Sequence, residues 1–427
     1  LPQAFGLDFG TTNSALARAT SGGEIRLAQF GGGATFRSIL YFDEDQSSSP
    51  RKLRVVAGPD AIQSYLNART AGRLIQSTKS YLASRLFTRT QIFGATYALE
   101  ELIGILLRQL RRAAEAQFGD LGAALVVGRP VHFSGARDRG DDEFAVERLR
   151  RAFASAGFSE VRFLPEPIAA AYKYQRGLQG EELALIADFG GGTSDFSLVR
   201  LRPRASNASD PAAQVLGTDG VGIAGDAFDS RLVRRLVAPA LGLGSEYQSQ
   251  FGKILPVPNW LYEHLERWHY LSFLKTRKNL ELLRQIHFQS LAPEKIARLI
   301  ELVDHDLGYR LYQAVERTKC RLSESAAGEF HFHETAIAID GRADRADFES
   351  WIAPELRQIG ACVDRLLARC GVGADRVDAV FMTGGSSFVP AIRRIFEEKF
   401  PGKPLRLGSE FTSVAEGLAI YALESLG

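Results

Sequence analysis

The chain has 427 residues, 45% hydrophobic and 24% charged, which is too long for one small core and suggests two lobes. Lys and Arg number 52 against 50 Asp and Glu, a formal charge of +2, so no global field recruits nucleic acid. Cys320, Cys362 and Cys370 form no CxxC and cannot all pair, which favours a reducing compartment. The start, LPQAFGLDFG, enters a strand almost at once and leaves no room for a signal peptide. LIGILL at 102–107 is too short to cross a bilayer. The expectation is a soluble, cytoplasmic protein with neither membrane nor nucleic acid as partner.

In chain order, residues 5–40 alternate short apolar runs with glycine turns, as in a mixed sheet, and RSILYF at 37–42 is a further strand. Residues 47–50 read as a polar loop, and the apolar 55–57 precedes a helix-like stretch over 60–71. LIQSTKSYLAS at 74–84 presents Lys79 between apolar anchors. Residues 100–117 set Leu102, Ile105, Leu106, Leu110 and Ala113 on one helical face. GAALVVGRP at 122–130 is a buried strand, and 143–157 an amphipathic helix with its basic residues outside. VRFLPEP leads into Glu166, and Pro167 suits the first turn of the following helix, where its missing N–H is an orphan anyway.

Residues 218–229, TDGVGIAGDAFD, bring another glycine turn. The stretch 256–283 is dense in aromatics, with Trp260, Tyr262, Trp268, Tyr270 and Phe273, and reads as a small subdomain core rather than a partner surface. Lys275, Arg277 and Lys278 read as a solvated face. A helix over 309–325 buries Leu311, Val315 and Leu322, while Glu316, Lys319 and Ser323 share a face. FHFHE at 330–334 puts His331 and His333 on one side of a strand; with no third ligand at motif spacing, the pair reads as ordinary strand. Residues 376–382 read as a final buried strand, 388–400 as the helix after it, and 413–426 as a helix returning to the first lobe.

Two stretches carry the chemistry. In LALIADFGGGTSDFSL at 183–198, an apolar strand ends at Asp188, and Gly190, Gly191 and Gly192 allow a turn whose φ angles suit glycine. Thr193, Ser194 and Asp195 follow before the next strand. Such a unit points consecutive N–H groups into one concavity, a nest for anionic oxygens, and Asp188 and Asp195 can hold a hydrated cation. The same grammar occurs in GLDFGTTNSALA at 6–17, with Asp8 at a strand end, Gly10 in the turn, and Thr11, Thr12 and Asn13 as donors. The spacing is neither the Walker phosphate loop nor the dinucleotide turn. Two such hairpins suggest a duplicated fold holding phosphates and Mg²⁺ between two lobes.

The hairpin pair, LPEPIAAAY at 164–172, ERTKCRLS at 316–323 and MTGGSSFVP at 382–390 resemble the actin-like ATPase domain of DnaK-type heat-shock proteins, in that family's order and across essentially the whole chain. The match is similar to the short bacterial members of the YegD type, which lack a peptide-binding domain. The resemblance implies an α/β, two-lobed actin-like ATPase fold, with duplicated ribonuclease H-like sheets and a nucleotide cleft between lobes. Lobe I is expected at 1–180 and 408–427, with a subdomain at 37–97. Lobe II is expected at 181–407, with a subdomain at 223–344 enlarged by the aromatic stretch. It implies ATP or ADP with Mg²⁺ held by Asp8, Asp188 and Asp195. Lys79 is the expected catalytic lysine, Glu166 reaches the metal's water shell, and Thr193 orients the attacking water. Gly225 and Asp226 lie near the nucleotide. Glu316, Lys319 and Ser323 face the ribose and adenine edge, and Gly384, Gly385, Ser386 and Phe388 complete the site. Cys320 and Phe388 stand where the family usually has two arginines sandwiching the adenine; Phe388 could stack on the base, whereas Cys320 replaces nothing.

The implied function is an ATP-binding, slowly hydrolysing nucleotide switch, with protein clients or co-chaperones as partners. One alternative is an actin-fold small-molecule kinase, for which the chain shows no dedicated acceptor motif. Another is a nucleotide-binding scaffold with little turnover. Phosphate release without an acceptor separates the first from the second.

Overall fold

The computed structural model describes residues 2–45, 52–68, 72–174, 178–203, 213–249, 251–266, 271–407 and 413–426. The expected loop at 47–50, the end of the expected helix at 69–71, and Trp268 and Tyr270 lie outside them, as does the side chain of Phe273. The chain divides into two compact units: Leu1–Gly222 with Gly360–Ser387 and Ile395–Gly427, and Ile223–Ile359 with Phe388–Arg394.

The first unit opens with the hairpin β1 (Gln3–Phe9) and β2 (Asn13–Thr20), then β3 (Ile25–Leu27) and the short β4 (Phe36–Arg37). A small antiparallel sheet follows from β5 (Ile39–Asp45), β6 (Lys52–Ala57) and β7 (Arg73–Gln76), with α1 (Pro59–Asn67) against it. The hairpin β8 (Arg89–Ile92) and β9 (Ala95–Ala98) leads to α2 (Leu99–Phe118), β10 (Ala124–Arg129), α3 (Arg139–Ser155), β11 (Glu160–Pro165) and α4 (Glu166–Tyr174). A second large sheet begins with β12 (Glu182–Phe189), β13 (Ser194–Leu201) and β14 (Ala213–Val221).

The second unit runs through α5 (Gly225–Leu232), β15 (Glu246–Gln248), β16 (Ile254–Pro256), α6 (Trp260–Leu265), α7 (Leu271–Leu274), α8 (Arg277–Gln289), α9 (Pro293–Asp304), α10 (Gly308–Glu324), β17 (Ala327–Glu334), β18 (Ile337–Asp344) and α11 (Arg345–Trp351). The long α12 (Ala353–Cys370) crosses back into the first unit. Then β19 (Ala379–Thr383), α13 (Pro390–Lys399), whose first half groups with the second unit, β20 (Leu405–Leu407) and α14 (Ser413–Leu426) complete the chain.

The two large sheets, both in the first unit, repeat one plan. One has the order β3-β2-β1-β10-β11 and the other β14-β13-β12-β19-β20. In each, three antiparallel strands come first in sequence and two parallel strands are added beside the first of them. Each pair of parallel strands is joined through a helix, α3 in one and α13 in the other, as parallel connections require. The small sheet β6-β5-β7 and the Ile223–Ile359 part of the second unit are inserted at the same topological point of the repeat, after the third strand. Helix α14 packs on α4, β1 and β2, where Ala15, Ala17, Ala19, Ala415 and Ala419 keep side chains small enough for close approach. The apolar faces of α4 and α14 share a core with Ala184, Ile186 and Phe381 of the second sheet.

Several expectations are corrected. The strand expected at 376–382 is β19, begins at Ala379, and is followed by a further parallel strand, β20, that three residues of sequence did not advertise. The helix expected from Phe388 starts at Pro390, because residues Gly385–Phe388 form a tighter 3₁₀ turn. The basic residues of α3 are not all outside. Arg148 is buried and donates through Nε to Glu100 at 2.7 Å and through NH1 to the carbonyls of Tyr81, Leu82 and Ser84. A guanidinium's five donors make such burial tolerable where an ammonium's would not reach. Tyr262 is fully buried and donates to the Leu241 carbonyl at 3.1 Å, as a core residue does. Nearby, however, Phe251, Ile254, Phe288 and Leu291 are exposed, so this region contributes surface as well as core. The pair His331 and His333 does have a third partner: β18 brings Asp340 beside it. Among the described residues, no helix is long and apolar enough to cross a membrane.

Candidate functional site

Both hairpins end their first strand in Asp-Phe. Successive side chains of a strand point to opposite faces. Phe9 and Phe189 are fully buried, Phe9 edge-on to Phe153 and Phe189 edge-on to Phe196 and Phe396. That anchoring turns Asp8 and Asp188 to the other face, where each is only half-buried.

The turns are held differently. In the first, the Ser38 hydroxyl donates to the Gly10 carbonyl at 2.7 Å and the Ser38 N–H to the Thr12 carbonyl at 2.9 Å, while Arg37 holds the Asn13 side chain at 3.2 Å. In the second, the Gly190 N–H closes onto the Thr193 carbonyl at 2.9 Å. Gly190 does not adopt a left-handed φ, contrary to the reason expected for the glycines of its turn, and neither does Gly10. Space is the reason at Gly10: a Cβ there would lie 2.0 Å from the Asn13 carbonyl oxygen. Gly384 does need glycine's φ, at +86°, and a Cβ there would also meet the Phe189 carbonyl at 2.0 Å. The neighbouring Ser386 and Ser387 are buried, with Ser387 donating to the Gly384 carbonyl at 2.6 Å.

Antiparallel register sets Asp195 opposite Asp188. The Thr193 hydroxyl donates to Asp195 Oδ2 at 2.8 Å, so its proton is committed and its lone pairs are what it presents. Parallel register sets Thr383 beside Asp188, to which it is hydrogen-bonded. Lys79 sits in a 3₁₀ turn, Thr78–Tyr81, entered through Ser77 in the left-handed region at φ 57°. A non-glycine residue held there is uncommon and often marks a functional constraint. The Lys79 ammonium is 8% exposed and donates to Glu166 Oε1 at 2.8 Å. Glu166 is the first residue of α4, where the helix dipole favours a carboxylate.

The structure thus gathers Asp8, Glu166, Asp188, Asp195 and Lys79 into one electrostatic cluster, four carboxylates around one ammonium. Burial, then Glu166, raises the Asp8 pKa well above the carboxylate range against the pull of Lys79. Burial, then Glu166 and Asp195, pushes Asp188 up to about 7. Asp195 rises to about 6, chiefly by burial and against its bond from Thr193. On Lys79, burial acts to lower the pKa, but Glu166 and Asp8 outweigh it and the net shift is upward. A site so short of positive charge, lined by hard oxygen donors, fits a divalent cation of the Mg²⁺ type.

In the second unit, α10 buries Leu311, Val315 and Leu322 and leaves Glu316 exposed. Lys319 turns to Asp229, its Nζ 2.7 Å from Oδ2. Asp229 is buried and raised to about 6, by burial first, with Lys319 opposing and Asp226 and Glu316 adding to the rise. Asp226 lies in the first turn of α5, which Gly225 opens. The Ser323 hydroxyl donates to the Lys319 carbonyl at 3.2 Å, so its proton is turned onto its own helix rather than outward. Phe388 is half-buried, with the Arg393 guanidinium 5.3 Å over its ring. An arginine therefore does stand beside this position, five residues later than the motif led one to look. Asp229, Thr383, Ser38, Ser77 and Arg393 were not singled out from sequence. Only Thr383, just before the glycine pair, and Asp229, closing TDGVGIAGDAFD, carried a local signal.

A family model described as Hsp70 protein matches residues 4–241 and 295–423. The stretch 242–294 between them contains the whole aromatic-rich segment. The chain is 24% identical over 442 residues to the chaperone protein DnaK of Deinococcus proteolyticus, covering 99% of this chain and 59% of that one. DnaK of Deinococcus deserti gives 24% over 441 residues with the same coverage. DnaK of Thermus thermophilus gives 23% over 442 residues, covering 99% of this chain and 61% of that protein. The chain therefore spans about three-fifths of the length of these relatives. Both hairpins, Lys79, Glu166, Asp229 and Lys319 all fall inside the matched segments, and the chain belongs to the Hsp70 family, with its two-lobed actin-like ATPase fold.

Proposed function

We propose that the chain binds ATP or ADP with Mg²⁺ at the Asp8–Asp188 cluster and hydrolyses ATP slowly, as a chaperone-type nucleotide switch in the cytoplasm. The observation that carries this reading is the buried Lys79 among four carboxylates, beside two hairpin turns of matching design. Gly10, Thr11, Thr12 and Asn13 in one turn, and Gly190, Gly191, Gly192 and Thr193 in the other, offer donors to phosphate oxygens. Asp8, Asp188 and Asp195 would hold the cation, which neutralises phosphate charge when bound. Lys79 supplies a fixed positive charge to the transferring phosphoryl group, and Glu166 holds that ammonium in place. Thr193 has lone pairs free to accept from an attacking water. Glu316 and Lys319, with Gly225, Asp226, Ser323 and Phe388, are proposed for the ribose and base. Gly384, Gly385 and Ser386 are proposed for the nucleotide as well.

The lobes are proposed at 1–180 with 408–427 and at 181–407, each containing one of the two equivalent sheets. Protein clients or co-chaperones are the partners such a switch would serve. A second reading, a nucleotide-gated binding module with little turnover, is favoured by Cys320 and Phe388 in place of the family's arginines. The test is phosphate release from Mg²⁺-ATP without any acceptor. Slow release, lost in Lys79→Ala while ATP still binds, supports the switch. Binding without release in the parent favours the module, and a phosphorylated small molecule appearing only with an acceptor would replace both by a kinase.

A further inference from the structure

The hairpin β17–β18 carries a cluster that the nucleotide reading leaves unused. Along β17, Phe330 and Phe332 are buried, and strand alternation sends Glu329, His331 and His333 to the exposed face. In the antiparallel register Asp340 of β18 lies opposite His331, and Ala338 opposite His333. Asp340 Oδ1 is 2.6 Å from His331 Nδ1 and 2.9 Å from His333 Nε2, so one carboxylate oxygen serves two imidazoles. A ligand atom from each of the three residues lies within 4.8 Å of the other two. The second ring nitrogen of His331 meets Glu329 Oε2 at 3.2 Å.

We propose that His331, His333 and Asp340 form a surface site for a first-row transition cation such as Zn²⁺, with Glu329 as the outer carboxylate that orients His331. Two imidazoles and one carboxylate are the donor set of borderline ions, whereas Mg²⁺ prefers oxygen alone. A tetrahedral ion with bonds of about 2.0–2.2 Å needs its ligand atoms about 3.3 Å apart. The His331–Asp340 contact at 2.6 Å and the His333–Asp340 contact at 2.9 Å open to that spacing by about 0.7 and about 0.4 Å, for which all three exposed side chains have room. The contact from Glu329 to the distal nitrogen of His331 is the carboxylate–histidine arrangement that fixes the tautomer of a metal ligand. As ion pairs alone, such exposed contacts add little stability. A bound ion would tie β17 to β18 and keep a fourth position open to water or to a donor from another molecule.

The experiment uses the full chain without an affinity tag, stripped of transition metals, free of nucleotide and held in excess Mg²⁺ so that the Asp8–Asp188 cluster is already filled. It is titrated with Co²⁺, followed by visible absorption, and with Zn²⁺, followed by calorimetry. One ion per chain is expected, weakened at least about tenfold in His333→Ala and in Asp340→Ala, and less in Glu329→Gln. Nucleotide binding should be the same in all variants, which separates this site from the Asp8–Asp188 cluster. Absence of one-to-one binding by the parent, or an affinity unmoved by His333→Ala with Asp340→Ala, overturns the proposal.

Discussion

Lys79→Met is the most informative perturbation of the acidic cluster, because it removes the charge and keeps most of the volume. Lys79 is buried, bonded to Glu166 at 2.8 Å, and lowers the pKa values of Asp8, Asp188 and Asp195. Without it those values rise further from a start already about 7 for Asp188 and about 6 for Asp195. A carboxylate raised on folding gives stability that is full below its unfolded pKa of about 4 and is lost as pH rises through the folded value. The variant should therefore suffer most at alkaline pH, where the cluster must carry its charge uncompensated. Each further tenfold gain in proton affinity corresponds to about 1.4 kcal/mol, and breaking a buried pair outright costs about 3–5 kcal/mol. Protonation caps the loss near the lower end. At about 2–4 °C per kcal/mol, the melting deficit at about pH 8 should exceed that at about pH 5 by roughly 3–6 °C. The assay is thermal unfolding of both proteins without divalent cations or nucleotide. An equal deficit at the two pH values would show that Lys79 is not the counter-ion of these carboxylates.

Mg²⁺ binding should weaken on acidification by up to about tenfold per pH unit below about 7, because Asp188 must release its proton first. Calorimetry in two buffers of different ionisation enthalpy would reveal that proton, and a heat independent of buffer would remove Asp188 from the ligand set. Gly10→Ala would place Cβ 2.0 Å from the Asn13 carbonyl, so the first turn must open and nucleotide affinity should fall at least about tenfold; unchanged affinity means this turn does not cradle phosphate. Phe388→Ala should weaken adenine nucleotides by about 1–3 kcal/mol if the ring stacks on the base, and an unchanged affinity would assign the ring to packing against Arg393.

The parts of the fold that were legible in sequence are those whose cause is local. Asp-Phe at a strand end, glycine in the turn and an apolar strand after it specify a hairpin by alternation and turn sterics alone. The duplication of the fold followed from the repetition of that unit. Contacts that span the chain did not reveal their partners locally. Ser38 pins the first turn from 28 residues beyond Gly10, and Thr383 reaches Asp188 through a parallel pairing. Ser77 takes its left-handed φ without the glycine that would have announced it. Arg148 defeats the amphipathic reading because a buried guanidinium, fully bonded, is indistinguishable in sequence from an exposed one. The same blindness hid Asp340, which becomes a neighbour of His331 only once β18 folds back.

The charge balance of the cluster leads to one more expectation. Four carboxylates and a single ammonium repel a bare triphosphate, even with backbone donors arranged to receive it. The same carboxylates attract a divalent cation, and the cation then attracts the phosphates. Nucleotide and metal should accordingly bind as a strongly coupled pair, each raising the affinity for the other by the same factor, as linkage demands. The raised pKa of Asp188 at about 7 means that near neutrality protons take part in the exchange, leaving as the cation arrives. Measured in EDTA, ATP affinity should be lower than in saturating Mg²⁺ by at least about tenfold, a coupling of about 1.4 kcal/mol or more. Asp188→Asn should shrink that difference, because it removes a negative charge that both repels the phosphates and attracts the metal. Equal affinity with and without Mg²⁺ would mean that the acidic cluster is neutralised within the protein, and that the nucleotide is held elsewhere.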